Sequence, residues 1–326
     1  MGSTSVQKKL ETWGTRVALR WVPGWSRSTV LRWARVLGWL GYGFTPNLKR
    51  VALANLDIAY GDTLSAAEKR RIIKHSCQLF ALVLLDIFWF ARDTEARIAN
   101  YVEFDPALSE LFQKKAHMCI TAHLGNWELL GHAVSVRGNP LSSVAAPLVN
   151  PAVDEYLLQM RKVSGQQVIP KAGAIRTMLR TLKQDGKIGL LLDQNTRPDE
   201  GGLFVDFFGL PVPISDAGAS LALKTNADIL FGFCIPRWDG HYYVHGAPKI
   251  ALADYPAESE RPSVAGITQT IADRIQDAIR AHPEAWLWMY KRWKYPAPGI
   301  ALSRYPFYAK GNARRRKRLF RRRRST

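Results

Sequence analysis

Apolar residues in the first 44 positions recur at the spacing of amphipathic helices. The first set, in which neighbours are three or four residues apart, is Val6, Leu10, Trp13, Val17 and Trp21. Residues 30–44 repeat the pattern between arginines, and five of the eleven tryptophans precede residue 40. Helices rich in tryptophan and arginine favour the bilayer interface, so we expect two membrane-associating helices here. The alternative is that both pack on the body of the protein, with their arginine side chains reaching solvent.

The segment between positions 47 and 90 predicts two further helices. Residues 47–59 have helical apolar spacing. Ser65 and Glu68 form a capping box, which opens a helix that we expect to end at about Phe90. Within it, the apolar run of 17 residues from 75 to 91 contains Asp86. That length is at the short limit for crossing a bilayer, so we expect a buried core helix.

Beyond residue 115, short apolar runs alternate with helical segments. The predicted strands are 118–122, 141–146, 167–169, 188–192, 229–235 and 242–244. The predicted helices are 127–136, 153–164, 172–184, 217–225 and 264–281. This alternation predicts an α/β fold with a mostly parallel central sheet flanked by helices.

One junction in this region places an imidazole near a carboxylate. An apolar strand ends at Ala122, Gly125 and Asn126 permit a turn, and a helix follows. On one continuous helix, five residues turn about 500°, which would leave His123 and Glu128 about 140° apart. His123 must therefore lie before the helix, at the carboxyl edge of the sheet, where open α/β sheets bind ligands. We expect Glu128 to hold the imidazole in one tautomer and to stabilise its protonated form.

The missing motifs restrict the chemistry of His123. The sequence has no G-x-S-x-G elbow, no phosphate-binding Gly-Lys-Ser/Thr loop and no glycine-rich dinucleotide turn. The three cysteines have no zinc spacing and are expected to be reduced core residues, and no metal site is expected. His123 is therefore interpreted as a general base acting on a substrate hydroxyl. Arg161 is either the group that stabilises the oxyanion or a surface arginine, and Asp193 either points into the same crevice or caps a turn.

Positive charge is concentrated at the end of the chain. The formal net charge is +19, and residues 310–326 hold ten lysines or arginines and no acid, which leaves +9 (19 − 10) elsewhere. Such a run is typical of a disordered segment that binds polyanions, either anionic lipid or nucleic acid. No nucleic-acid-binding module accompanies it, so no specific nucleic acid is expected.

Several sequence blocks resemble the bacterial lipid A late acyltransferases, the lauroyl/myristoyl transferase family within the wider glycerolipid acyltransferase group. In order, the matching blocks are 47–56, the Ala-His-Leu-Gly-Asn-Trp-Glu of 122–128, Asp193-Gln194, 207–211 with Ser215, 283–288 and 291–294. The resemblance covers about residues 45–295. The His-four-residue-Glu element is weak alone, but the enclosed Gly-Asn-Trp and the ordered blocks make the signal specific.

The resemblance implies an O-acyltransferase of lipid A biosynthesis, with His123 as the base, Glu128 as its partner and Arg161 at the reacting carbonyl. It assigns Asn126, Asp193, Gln194 and Ser215 to substrate binding. It implies no cofactor: the donor is an acyl carrier protein thioester or acyl-coenzyme A, and the acceptor is a lipid A precursor. It also places the protein on the cytoplasmic face of the bacterial inner membrane, peripherally or with an N-terminal anchor. Both the carrier protein and the phosphorylated lipid are acidic, which suits a basic chain.

Two departures from the family keep alternatives open. The N-terminal segment is broken by Pro23, Gly24 and arginines, which favours interfacial attachment over a membrane span, and the arginine-rich tail is no family signature. The acceptor is alternatively another glycolipid or a lysophospholipid. A different class of function is a basic membrane- or nucleic-acid-binding protein without catalysis. We expect three regions: membrane-association helices in 1–44, an acyltransferase domain in 45–305 and a basic, disordered tail in 306–326.

Overall fold

The computed structural model describes residues 5–145, 147, 150–171, 173–252 and 262–309. The predicted disordered tail from position 310 onward lies outside these residues. Pro306–Ala309, which the sequence assigned to the tail, instead packs into the core, with Tyr308 and Ala309 buried. The Tyr308 hydroxyl donates a hydrogen bond to Asn55, and this contact holds the segment in place.

Residues 5–101 are helical wherever they are regular. The helices are α1 (Ser5–Trp21), α2 (Arg27–Phe44), α3 (Pro46–Tyr60), α4 (Ala66–Trp89) and α5 (Thr94–Tyr101). The predicted capping box at Ser65 and Glu68 is present and opens α4. Helix α2 lies directly against α4, since a Cβ added to Gly38 would come within 2.3 Å of the Gln78 Cα. Helix α2 thus shares the core of the domain, with Val30, Leu31 and Ala34 buried.

Helix α4 is the one described helix long and apolar enough to cross a membrane by length and composition. In its most apolar 18-residue stretch, 61% of the residues are buried inside the protein. Asp86 in this helix is buried against Arg27, the first residue of α2. The contacts of α4 are therefore those of a core helix.

The rest of the domain alternates strands and helices. The strands are β1 (Val102–Phe104), β2 (His117–Thr121), β3 (Leu141–Ala145), β4 (Gln167–Pro170), β5 (Lys187–Leu191), β6 (Gly202–Phe207), β7 (Leu210–Ser215), β8 (Asp228–Pro236) and β9 (Tyr242–Ile250). The helices are α6 (Trp127–Ser135), α7 (Pro151–Val163), α8 (Ala174–Lys183), α9 (Ala217–Thr225) and α10 (Val264–Ala281).

Seven of these strands form one sheet in the order β1-β9-β8-β2-β5-β3-β4. The five strands from β8 to β4 are parallel, β9 runs antiparallel to β8, and β1 is parallel to β9. The predicted α/β fold with a mostly parallel central sheet is confirmed. The antiparallel hairpin of β6 and β7 and the three-residue β1 were not predicted, because proline and glycine interrupt their apolar pattern or the run is too short.

Helices cover both faces of the sheet. Helix α6 lies over the face that carries Cys119, Thr121 and Leu191, whereas α9 and α10 cover the opposite face. On that opposite face, Gly218 of α9 allows close contact with Ile120 and Leu192. The turn between β2 and α6 is thereby held at the carboxyl edge of the sheet.

Candidate active site

The pairing of two parallel strands brings His123 and Asp193 together. Strands β2 and β5 are neighbours, and Thr121 pairs with Leu191 at their carboxyl ends. His123 and Asp193 each follow their strand by two residues, so the register continues into them. Strand register therefore creates the pair, although the two residues are 70 positions apart in sequence.

A hydrogen bond of 2.8 Å joins His123 Nδ1 to Asp193 Oδ1. The other carboxylate oxygen, Oδ2, accepts a bond of 2.8 Å from Trp286 Nε1. Asp193 is 2% exposed, whereas the His123 side chain is 20% exposed. Because Nδ1 donates to the carboxylate, Nε2 is the ring nitrogen left to accept a substrate proton.

The two charges shift each other's pKa. Burial alone would lower the pKa of His123, but the Asp193 carboxylate, helped by the charge of Glu128, raises it above the usual value. Burial would raise the pKa of Asp193, but the His123 charge and the bonds from His123 and Trp286 lower it. The pair is therefore arranged to stabilise a protonated imidazole beside an ionised carboxylate.

The turn that carries His123 is fixed by backbone bonds. Gly125 has a φ of +67°, and its N–H donates to the Ala285 carbonyl at 2.9 Å. The next N–H, of Asn126, donates to the Cys234 carbonyl at 2.7 Å. A Cβ on Gly125 would lie 2.1 Å from that carbonyl oxygen, so no other residue fits without backbone movement. As predicted, His123 precedes helix α6.

Glu128 is not the hydrogen-bond partner of His123, which corrects the sequence interpretation. Its carboxylate accepts two bonds from Arg161, at 2.7 Å from Nη2 and 3.2 Å from Nε. The reason is geometric: Glu128 lies on the first turn of α6, where it faces α7, while the adjacent strand supplies Asp193 at the height of the imidazole. Glu128 and Arg161 form a bidentate pair near His123, and both line the same cavity.

The residues predicted to bind substrate have different surroundings. The side-chain amide of Gln194 lies 3.1 Å from Nε2 and 3.3 Å from Nδ1 of His123, so it covers the imidazole. Asn126 is 1% exposed and caps α6 by accepting a bond from the Leu129 N–H, which makes it a positioning residue. Ser215 accepts a bond from the Ala217 N–H, and the structure records no contact between it and His123.

Asn126 also connects the turn to the N-terminal helices. Its amide donates to the Tyr242 hydroxyl at 3.3 Å, and that hydroxyl donates to Asp86 of α4. Asp86 is also paired with Arg27 at the beginning of α2. A buried polar chain thus runs from α2 to the residue that caps the helix after His123.

Sequence reasoning did not identify the anchoring residues near the end of the domain. Trp286 is 1% exposed and its indole holds Asp193, while the Leu287 N–H bonds the His123 carbonyl at 3.2 Å. Asn55 donates at 2.7 Å to the carbonyls of both Trp288 and Tyr290. All of these anchoring residues except Tyr290 lie in the sequence blocks 47–56 and 283–288, so the blocks themselves were the available signal.

A largely apolar cavity of about 90 Å³ opens beside the Glu128–Arg161 pair, between α6 and the sheet. Three glycines line it, namely Gly131 on α6, Gly189 on β5 and Gly232 on β8, and a Cβ at Gly232 would meet no atom closer than 3.8 Å. Trp127 lines the cavity, and its ring centroid is 4.8 Å from that of His123. A long apolar group placed in the cavity would therefore have one end close to the imidazole.

The arrangement fits proton transfer at a hydroxyl. The site provides a base whose acceptor nitrogen is Nε2, which the Gln194 amide contacts, a buried carboxylate behind that base and an adjacent apolar cavity. These are the features that deprotonation of a lipid hydroxyl requires. No group of three or more potential metal ligands occurs among the described residues.

Comparison with known proteins identifies related sequences. Residues 5–295 match the family described as bacterial lipid A biosynthesis acyltransferase. Phosphatidylinositol mannoside acyltransferase of Mycobacterium tuberculosis is 27% identical over 253 residues, which are 76% of this chain and 75% of that protein. The enzyme of that name from Mycolicibacterium smegmatis is 24% identical over 199 residues, 60% of this chain and 62% of its own length.

Among solved structures, the 1-acyl-sn-glycerophosphate acyltransferase of Thermotoga maritima is similar at 12% sequence identity. The TM-score is 0.37, and the match covers 78% of this chain and 99% of that one.

Replacing Asp193 with asparagine should lower the pKa of His123, because burial would then act on the imidazole without the opposing carboxylate charge. NMR titration of histidine-labelled protein measures this shift directly. Asp228→Asn is the matched control: it removes a buried, lysine-paired carboxylate at the opposite edge of the sheet. An unchanged His123 pKa in Asp193→Asn, or an equal fall in the control, would show that Asp193 does not set it.

Proposed function

Because the chain belongs to the bacterial lipid A biosynthesis acyltransferase family, we propose that it transfers a fatty acyl chain from an acyl thioester to a glycolipid hydroxyl. The observation that carries the proposal is the position of His123. Its Nδ1 is bound to buried Asp193, and its ring lies beside Trp127 at the cavity. The general base is therefore adjacent to an apolar site that could hold the acyl chain.

In the proposed reaction, His123 Nε2 takes the proton of the acceptor hydroxyl as that oxygen attacks the thioester carbonyl. The Asp193 carboxylate stabilises the imidazolium that forms. Collapse of the tetrahedral intermediate breaks the carbon–sulfur bond, and the departing thiolate takes the proton back from the imidazolium. Arg161, held by Glu128 at 2.7 Å, is the proposed cation near the developing oxyanion.

The cavity between α6 and the sheet is the proposed site for the acyl chain of the donor. Its walls are mostly apolar, and Trp127 connects it to the His123 ring. Gly232 keeps the β8 wall free of a side chain, and a Cβ there would make only ordinary contacts at 3.8 Å. The distance from His123 to this wall would then limit the length of the acyl chain that is transferred.

The proposed acceptor is a phosphorylated glycolipid. A lipid A precursor is the first acceptor to test because of the family, and a mannosylated phosphatidylinositol is the second because of the mycobacterial relatives. An acyl carrier protein is the proposed donor partner, with coenzyme A as the alternative carrier. Both lipids and the carrier are acidic, and the net charge of +19 would attract them.

The proposed location is the cytoplasmic face of a bacterial inner membrane. Large apolar side chains on α1 and α2 are exposed, with Phe44 at 81% and Trp39 at 57%. Exposed arginines lie on the same two helices: Arg16, Arg20, Arg32 and Arg35. Exposed tryptophan beside arginine is typical of interfacial helices, and the basic residues 310–326 would add attraction to anionic lipid.

Replacing His123 with alanine should lower acyl transfer at least about a hundredfold, because a positioned general base contributes about that much or more. Mass spectrometry of the lipid product, from purified enzyme with acyl thioester and each acceptor, measures the loss. His241→Ala is the control, since this histidine is exposed and its hydrogen-bond partners lie outside the site. Undiminished transfer by His123→Ala would eliminate the mechanism, and a product from neither acceptor would eliminate the proposed glycolipids.

Gly232→Leu should shift transfer towards shorter acyl chains, because the new side chain would occupy the cavity next to Leu130. Competition between thioesters of increasing length, with the products resolved by mass, measures the shift. Gly266→Leu is a matched control on α10, where a Cβ also meets only ordinary contacts and the residue is exposed. An unchanged length distribution in Gly232→Leu would place the chain elsewhere.

The double variant Trp39→Ser, Phe44→Ser should bind phosphatidylglycerol-containing vesicles more weakly, because it removes exposed apolar area from α2. Vesicle co-sedimentation measures binding. The control is Val163→Ser, Ile175→Ser, which removes apolar side chains of comparable exposure from α7 and α8. If both variants lose binding equally, or neither does, α2 is not the docking surface.

A further inference from the structure

The apolar cavity beside His123 contains two polar atoms that have no partner. Thr121 Oγ1 and Gln166 Oε1 are buried, and neither makes a hydrogen bond within the part of the chain that the structure describes. The Gln166 amide nitrogen donates to Ser143 Oγ at 3.2 Å, so one end of this amide is held and the other is not. All three residues line the cavity.

Thr121 lies on the side of the cavity towards His123, and Gln166 lies beside α6 and β3. Thr121 is the last residue of β2, two positions before His123. Gln166 lies directly against Gly131, since a Cβ there would be 2.6 Å from the amide nitrogen. Gly131 follows Glu128 by three residues of α6, which is about 4.5 Å along the helix axis. An acyl chain with its carbonyl at His123 would pass Thr121 and then reach the Gln166 amide beside Gly131.

Buried polar atoms without partners are costly, and native proteins contain few of them. Two in one ligand cavity indicate that the ligand supplies the missing bonds. A hydroxyl group both donates and accepts, so it can donate to Gln166 Oε1 or accept from the Thr121 hydroxyl. An unsubstituted chain would leave both atoms unpaired.

We propose that the preferred donor is a hydroxylated acyl thioester whose hydroxyl is close to the carbonyl and binds Thr121 or Gln166. This inference rests on the proposed function. It adds a specificity site to it, with Ser143 holding the Gln166 amide in place. The hydroxyl is bound and does not react.

The test compares four thioesters of one chain length with the purified enzyme: unsubstituted, and hydroxylated at the second carbon, the third carbon or the far end. At least one near-carbonyl form should have a kcat/KM at least about tenfold above the unsubstituted and end-hydroxylated forms. Thr121→Val and Gln166→Leu replace the polar atoms with apolar groups of similar size. At least one of the two should reduce this ratio towards one while transfer of the unsubstituted chain persists.

Ser142→Ala is the matched control, because Ser142 is the neighbouring strand position and its hydroxyl bonds Gln167 instead of lining the cavity. It should leave the ratio unchanged, and thermal unfolding checks that all three variants fold. Equal use of all four thioesters by the unmodified enzyme, or a ratio that survives both variants, overturns this inference and leaves the proposed function standing. Failure to transfer any thioester overturns both.

Discussion

The buried carboxylate of Asp193 is the constraint on which the site depends. Removing one partner from a buried ion pair costs about 3–5 kcal/mol, because the other charge remains in a poorly solvated place. Asp193 avoids this cost through the bonds of His123 and Trp286 to its two oxygens. Those bonds form only if β2 lies beside β5 and if the segment around Trp286 folds across the carboxyl edge of the sheet. The central strand order and the end of the domain are therefore linked through one side chain.

Much of the fold follows from local patterns that the sequence displays. Helix α4 begins at its capping box, and α9 and α10 have the bounds that their apolar spacing predicts. His123 precedes α6 because Gly125 and Asn126 make a turn there, as the spacing to Glu128 requires. The hairpin of β6 and β7 escaped prediction, since Pro211 and Pro213 are unusual in strands and are tolerated only where the sheet has edges.

The partner of His123 could not be predicted, because it depends on which strands are neighbours. Asp193 was recognised as a carboxylate at a strand end, but the order β2-β5 is a long-range property of the sheet. Glu128 was closer in sequence and therefore the simpler candidate, yet its position on α6 directs it to Arg161. Trp286 had no local signal beyond the block in which it lies, because an indole donor is indistinguishable from an ordinary core tryptophan in sequence.

Residues 285–287 cross the turn that carries His123, and this has a consequence for the biosynthesis of the protein. Leu124 forms a bridge with Trp286, and the Ala285 carbonyl accepts the Gly125 N–H. A nascent chain that has emerged only through β9 contains the imidazole, the Asp193 carboxylate and the Cys234 carbonyl, but it lacks the groups at 285–287 that also clamp the turn. The site is completed only when nearly the whole domain has left the ribosome.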